Sequence, residues 1–377
     1  MTKEEQVLLD AVNAYLNNER ISIKENIDWN LLIELSLSNG VLDALKRIKN
    51  LPKKSNNDIR EHHLKTEREM VKQVVALEKE FKKKGIEPIF WKGVILEKKY
   101  YTSDFKRYSG DIDILVKEKD FLKAEKILKI RNYKIYAQAH SKSWYLKHHF
   151  HIIYHNLFKT PVELHWDIFH EDDAINRNRN EYWENTDNIS LAGKKVKEFN
   201  PEYSLLSLCA HFMTHKMSLD TLHYLDIALI IKKSDLNWKN IILSSKKWHI
   251  STYVYHILKK VEKNFNIAIP PEVLKELRKD SSQLKLRVLE KFSNKVVTIP
   301  NTQRTVLEQK IMEILLPYKF HIKLSFLFND IILGAFFPPK QVIAEHYHLK
   351  ESSPWVYPCY LLNPFRIAIK SLSALTK

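Results

Sequence analysis

Residues 107–116 read Arg-Tyr-Ser-Gly-Asp-Ile-Asp-Ile-Leu-Val. Ile112, Ile114, Leu115 and Val116 make an apolar run of strand length, with Asp111 and Asp113 set into its start. Side chains alternate across a strand, so two carboxylates two positions apart share a face. Side by side at the mouth of a buried strand they repel each other and lose hydration. A bound cation offsets both costs. Mg²⁺, which takes a few carboxylates and completes its shell with substrate phosphates, fits this donor set, with Mn²⁺ as a substitute.

The flanking sequence gives this strand its setting. A helical pattern over 66–84 carries Met70, Val74, Val75, Leu77 and Phe81. Lys82-Lys83-Lys84 and then Gly85 form its stop signal. Pro88-Ile89-Phe90-Trp91 reads as a short buried strand, Lys92-Gly93 as a turn, and Val94 to Tyr101 as a helix. After a polar loop over 102–110 and the Asp-Ile-Asp strand come a helix near 119–129 and strands at 148–154 and 161–168. Residues 1–85 otherwise read as helices. Beyond Pro201 helices are expected at 202–217, 219–233, 237–247, 251–264 and 272–278. The expected class is α+β: a small mixed-sheet core over 86–198, an N-terminal helical region over 1–85 and a C-terminal helical domain over 199–377.

Phosphoryl and nucleotidyl transfer needs charge neutralisation at the triphosphate and in-line placement of an acceptor. Asp111 and Asp113 supply two metal ligands. Glu163, in the alternating run Val162-Glu163-Leu164-His165-Trp166, is the best third; Asp167 is the runner-up, roughly 13 Å further along an extended strand. Lys92-Gly93 ends a strand and opens a helix, where glycine admits an anion close to the backbone and the helix start offers N–H groups. Lys92 adds a point charge. Arg107 is positioned to clamp a phosphate or pyrophosphate.

Phe90-Trp91-Lys92-Gly93, Arg107 and Gly110-Asp111-Ile112-Asp113-Ile114-Leu115-Val116 together resemble the DNA-polymerase-β-like nucleotidyltransferases, and within them a bacterial branch of uncharacterised nucleotidyltransferases. That branch also has a His-rich helix followed by an Asp-containing one. Here His211-Phe212-Met213-Thr214-His215-Lys216 and Leu222-His223-Tyr224-Leu225-Asp226-Ile227 match them. The resemblance spans at least residues 30–265 and loosely Phe336-Phe337-Pro338-Pro339. It implies a catalytic set of Asp111, Asp113 and Glu163 and a nucleotide site drawn from Lys92, Gly93, Arg107, His215 and Lys216. Two departures blur the substrate. Gly93 is followed by Val94, not by a residue whose hydroxyl or small size supports a phosphate, and the interval from Gly93 to Asp111 is long.

Other readings of these residues compete. His211 and His215, four apart, have zinc-ligand spacing, but core packing or nucleotide contact explains them without a metal. A buried Asp226 needs a partner, and His211 or His215 would serve. The two cysteines, Cys209 and Cys359, lie far apart, so no disulfide framework arises and a reducing cytoplasm is expected. The opening Met-Thr-Lys-Glu-Glu-Gln reads as no signal peptide, and the apolar stretch 324–339 is interrupted by Asn329 and Asp330 and too short to span a bilayer. The formal charge of +16 suits anionic partners, but only twelve of the 61 cations are arginine; solvated lysine faces account for most of it. Near the end, Trp355, Tyr357, Tyr360 and Phe365 with Arg366 and Lys370 read as a basic aromatic segment that docks on the helical domain or touches a membrane surface weakly.

The reading is therefore a metal-dependent transferase that binds ATP or another NTP. It moves the NMP to an unidentified small molecule, peptide or protein and releases pyrophosphate. The rivals are a toxin- or defence-type enzyme that modifies tRNA, and a non-catalytic nucleic-acid-binding or scaffold protein with a degenerate core.

Overall fold

The computed structural model describes residues 2–52, 57–136, 149–169, 178–293, 295–297, 349–350 and 352–375, with isolated positions at 142, 145–146, 312, 340, 343–344 and 347. The chain divides into two compact units. The first comprises Met1–Tyr136, Phe150–His170 and Ile175–Gln303; the second comprises Ala137–His149, Glu171–Ala174 and Arg304–Lys377.

The first unit is built on a five-stranded sheet in the order β1-β2-β5-β4-β3. The strands are β1 (Ile89–Trp91), β2 (Ile112–Leu115), β3 (Lys134–Ile135), β4 (His151–Asn156) and β5 (Lys159–His165). β2 and β5 run parallel and the other neighbours antiparallel, which makes the sheet mixed as expected. The register sets Trp91 opposite Asp113, Asp113 opposite Glu163, and Glu163 opposite Ile153. One face of the sheet thus carries the polar row. The other is apolar throughout: Ile112, Ile114, Val162, Leu164, Ile152 and Tyr154 are fully buried or nearly so. Helices α3 (Asn57–Lys83) and α5 (Phe121–Ile130) cover that apolar side, with Gln73 of α3 donating to the Thr160 carbonyl at 2.7 Å and Tyr154 donating to Glu125 of α5 at 3.1 Å.

Each helix boundary has a local cause. Thr2 and Glu5 form a reciprocal cap on α1 (Lys3–Leu16), and Asp28 caps α2 (Trp29–Ser38). Gly85 ends α3 with a φ of +69°, as the lysine run and glycine predicted. α4 (Gly93–Tyr100) follows β1 directly. Past β5 come a one-turn α6 (Glu181–Glu184) and a hairpin of β6 (Thr186–Leu191) and β7 (Lys194–Phe199). Its turn places Ala192 and Gly193 at positive φ, as a tight hairpin turn requires.

The helices beyond are α7 (Pro201–Thr214), α8 (Thr221–Lys233), α9 (Trp238–Lys247), α10 (Ser251–Phe265), α11 (Pro271–Lys279) and α12 (Gln283–Phe292). All begin and end within three residues of the expected bounds where bounds were read. The N-terminal helices pack onto this group. Buried Asn39, just after α2, accepts a hydrogen bond from the Thr221 hydroxyl at 2.9 Å, and its carbonyl accepts one from Leu222 N–H.

In the second unit, α13 (Val356–Leu375) runs beside a small cluster of Ile343, Ala344 and Val356. Trp355, Tyr357, Leu361 and Phe365 are exposed within it. The apolar stretch 324–339, with Phe336 to Pro339, lies outside the described residues, as do the side chains beyond Arg366. Among the described residues no helix is long and apolar enough to cross a membrane.

Candidate active site

The site forms where the end of β1 meets the start of β2, beside Glu163 of β5. Paired residues in adjacent strands share a face, so Asp113 and Glu163 stand side by side across the parallel β2–β5 pair. Asp111, two residues upstream, lies on the same face. His165, two residues past Glu163, joins them, and His151 pairs with it from β4. His165 Nε2 lies 3.1 Å from Asp113 Oδ1 and 3.3 Å from Glu163 Oε2; His151 Nε2 lies 3.8 Å from Glu163 Oε2. Lys92 reaches in from the end of β1, its ammonium 2.7 Å from Asp113 Oδ1 and 4.4 Å from the centre of the Trp91 ring. Asp113, Lys92 and His165 are all buried.

The Lys92-Gly93 turn is bent unusually. Lys92 has φ +54° and Gly93 φ +39°. A Cβ on Gly93 would stand 2.7 Å from Ser109 Oγ, so glycine is required both for the backbone angle and for the space. Ser109 Oγ donates to the Asp111 carbonyl at 3.2 Å. A hydroxyl therefore does sit over the turn, supplied by the loop ahead of β2 and not by position 94.

Charge is crowded here. Burial, followed by the charges of Asp113 and Glu163, pushes the Asp111 carboxyl up to about 7. Burial opposes ionisation of Glu163 too, but His165, Lys92 and His215 outweigh it and bring its carboxyl down to about 2. Burial likewise opposes charge on Lys92 and His165, and the carboxylates overcome it, so both are raised. Lys92 and His165 act as internal counter-ions, yet Asp111 remains under-compensated. That residual negative field, on oxygen donors that share one face, is the environment a divalent cation relieves. Asp111, Asp113 and Glu163 share this face, but the donor atoms that converge within 4.8 Å of one another among the described residues are those of His151, Glu163 and His165.

The remaining expected residues separate into two groups. His215 is the C-cap of α7 and close enough for Glu163 and Asp113 to act on it, but burial, then Lys92 and His223, lower it to about 4. It forms a cluster with His211 and His223, with ring centres 4.4 and 5.6 Å from His211. Burial and then Lys92 keep His211 well below the usual histidine range. Lys216 follows in the left-handed turn after the helix, at φ +51°.

Arg107 points elsewhere. Its Nε and Nη2 donate to Asp226 Oδ1 and Oδ2 of α8 at 2.7 and 2.8 Å, with 6% of the residue exposed. Tyr101 donates to the same carboxylate at 2.6 Å. The structure thus places Arg107 as a buried tie between the loop ahead of β2 and α8, near enough to Asp111 for its charge to act there. Asp226 finds its partners there and not in His211 or His215. Asp167, the alternative third carboxylate, turns off the end of β5. It accepts from Ile168 N–H, Tyr182 and Arg179, and is fully buried.

Sequence reasoning missed His151, His165 and Ser109. His165 carries the same period-two signal that picked out Glu163; Ser109 has no local signal, because its partner turn lies sixteen residues upstream.

These features define an α+β protein with a carboxylate centre on one face of a mixed sheet, beside a glycine turn and a helix start. Residues 25–266 match the model of the family described as uncharacterised nucleotidyltransferase, and the chain belongs to that family. Among solved structures, an antigenic nucleotidyltransferase-like protein from Paracoccidioides brasiliensis is similar over 58% of this chain and 96% of its own, at 14% identity and a TM-score of 0.34. No curated protein matches the chain.

Proposed function

We propose that this nucleotidyltransferase transfers the NMP of an NTP to an acceptor hydroxyl or other nucleophile and releases pyrophosphate. We place it with the DNA-polymerase-β-like enzymes. The observation that carries the reading is the lateral register of Asp113 with Glu163, with Asp111 one pleat away, beside the Lys92-Gly93 turn. Asp111, Asp113 and Glu163 would hold a divalent ion such as Mg²⁺, which when bound would supply charge neutralisation at the triphosphate and a more acidic acceptor.

The chain's own residues do the rest. Glu163, held ionised, serves as a ligand and not as a proton store. The Gly93 backbone and the start of α4 receive the phosphates, and Ser109 offers a hydroxyl beside them. The Lys92 ammonium is the cation at this turn, held by Asp113, and meets the charge that builds on the departing pyrophosphate. Arg107 and Asp226 position the β2 strand. Partly buried His211 and exposed His215, both shifted toward the neutral form, flank the site on the α7 side. The acceptor class remains a small molecule, a peptide or a protein, and a tRNA acceptor is compatible with the +16 charge.

One observation favours the rival non-catalytic reading: Lys92 and His165 already neutralise Asp113. Calorimetry with a non-hydrolysable NTP and Mg²⁺ separates the two. The transferase reading expects binding that is lost without Mg²⁺ and weakened at least tenfold in Glu163→Gln; no binding under any condition supports the rival.

A further inference from the structure

His151, Glu163 and His165 form a group of a different kind from the paired aspartates. Their donor atoms all lie within 4.8 Å of one another. His165 Nε2 is 3.3 Å and His151 Nε2 is 3.8 Å from the same Glu163 oxygen. A metal with ligands at about 2.0–2.1 Å needs its donors about 3.0–3.4 Å apart. The His165–Glu163 pair is already at that spacing, the His151–Glu163 pair is a few tenths of an ångström outside it, and the two imidazoles, with donor atoms within 4.8 Å of each other, close on the ion by side-chain rotation. The three side chains come from neighbouring positions on β4 and β5, so the sheet's hydrogen bonds hold their backbones fixed. Phe150 packs against both imidazoles, its ring centre 4.5 Å from His151 and 5.6 Å from His165, and restricts their rotation.

The ligand set dictates the ion. Mg²⁺ takes oxygen donors and keeps its waters, whereas two imidazoles and one carboxylate suit a borderline transition ion. Such a set of three protein donors leaves coordination positions open for water or substrate; an ion bound there would replace the proton that His165 Nε2 holds against Asp113 and Glu163, releasing it to solvent. We propose that His151, Glu163 and His165 bind one imidazole-tolerant divalent transition ion of the Mn²⁺-to-Zn²⁺ series. Glu163 is shared with the aspartate site, so the transferase would hold two chemically distinct metal positions bridged by one carboxylate. The His₂-Glu position rests on its own geometry and does not require nucleotidyl transfer.

Co²⁺ is the probe, because its visible bands report nitrogen ligation directly, with no need for activity. The full-length, metal-free protein is titrated with Co²⁺ in the presence of millimolar Mg²⁺. The wild type should take up one equivalent with ligand-field bands that Mg²⁺ does not displace and Zn²⁺ does. His151→Ala should weaken Co²⁺ binding about 10- to 100-fold and alter the bands. His151 is partly exposed at a strand start, and its variant's circular dichroism should match the wild type. Two further variants locate the ion. Asp111→Asn should leave the bands unchanged, and His211→Ala with His223→Ala should also leave them unchanged. The proposal is overturned by absence of Co²⁺ bands, by equal binding in His151→Ala, by displacement with Mg²⁺, or by loss only in the His211/His223 variant. Loss of NTP binding with these bands intact would count against the transferase reading alone.

Discussion

At the scale of single residues, the decisive fact is how each buried charge is matched. Arg107 and Asp226 sit 119 positions apart and form a bidentate buried pair. Breaking such a pair by removing one partner strands the other and costs about 3–5 kcal/mol. Arg107→Ala should therefore lower stability by about that amount in urea unfolding. In Arg107→Lys, which loses the fork but keeps a charge, part of the stability should return and NTP affinity should stay near wild type. Retained stability with lost NTP affinity would restore the phosphate-clamp role. Gly93 supplies a second test. A methyl there meets Ser109 Oγ and a φ of +39°, so Gly93→Ala should cost about 1–3 kcal/mol. Adding Ser109→Ala should recover the steric part, and a double-mutant cycle measures it.

At the scale of elements, α4 carries both the phosphate-facing turn and a buried carboxylate. Burial, and then Glu67, raise Glu97 to about 7, against the smaller pull of Lys106 and Lys98. Because the folded state holds this proton more tightly than the unfolded chain, stability contributed by the neutral form is lost as pH rises from about 4.5 through 7. Glu97→Gln should thus gain stability over the wild type at pH 8 and show little difference at pH 4, as thermal unfolding would read. A gap that widens toward acid would refute the assignment. The strands show what was readable and why. Asp111, Asp113 and Glu163 were legible because period-two alternation and the chemistry of carboxylates point the same way. Strand β5 was expected to reach Ile168, but Asp167 turns inward to cap Ile168 and hold Tyr182 and Arg179, and the strand stops at His165. The β6–β7 hairpin went unread, although Ala192-Gly193 is a turn signal, because β6 is mostly polar, β7 is lysine-rich, and only Val196, Glu198, Phe199 and Leu191 are buried.

At the scale of the whole molecule, the first unit makes one body of the N-terminal helices, the sheet and helices α7 to α12. Asn39–Thr221 and Arg107–Asp226 are two of its long-range ties. No local pattern announces either, since each joins residues more than a hundred positions apart. The helices and the strands β1, β2, β4 and β5, by contrast, show in local periodicity. The central claim is that the carboxylate face of this body transfers a nucleotide. Its most direct measurement is label transfer from an α-³²P NTP, in the presence of Mg²⁺, to acceptors in a cell extract, with wild type and Asp113→Asn compared at equal folded concentration. The account predicts a labelled product and released pyrophosphate with the wild type, and at least a hundredfold less of both with Asp113→Asn. Equal labelling by the two proteins would contradict it.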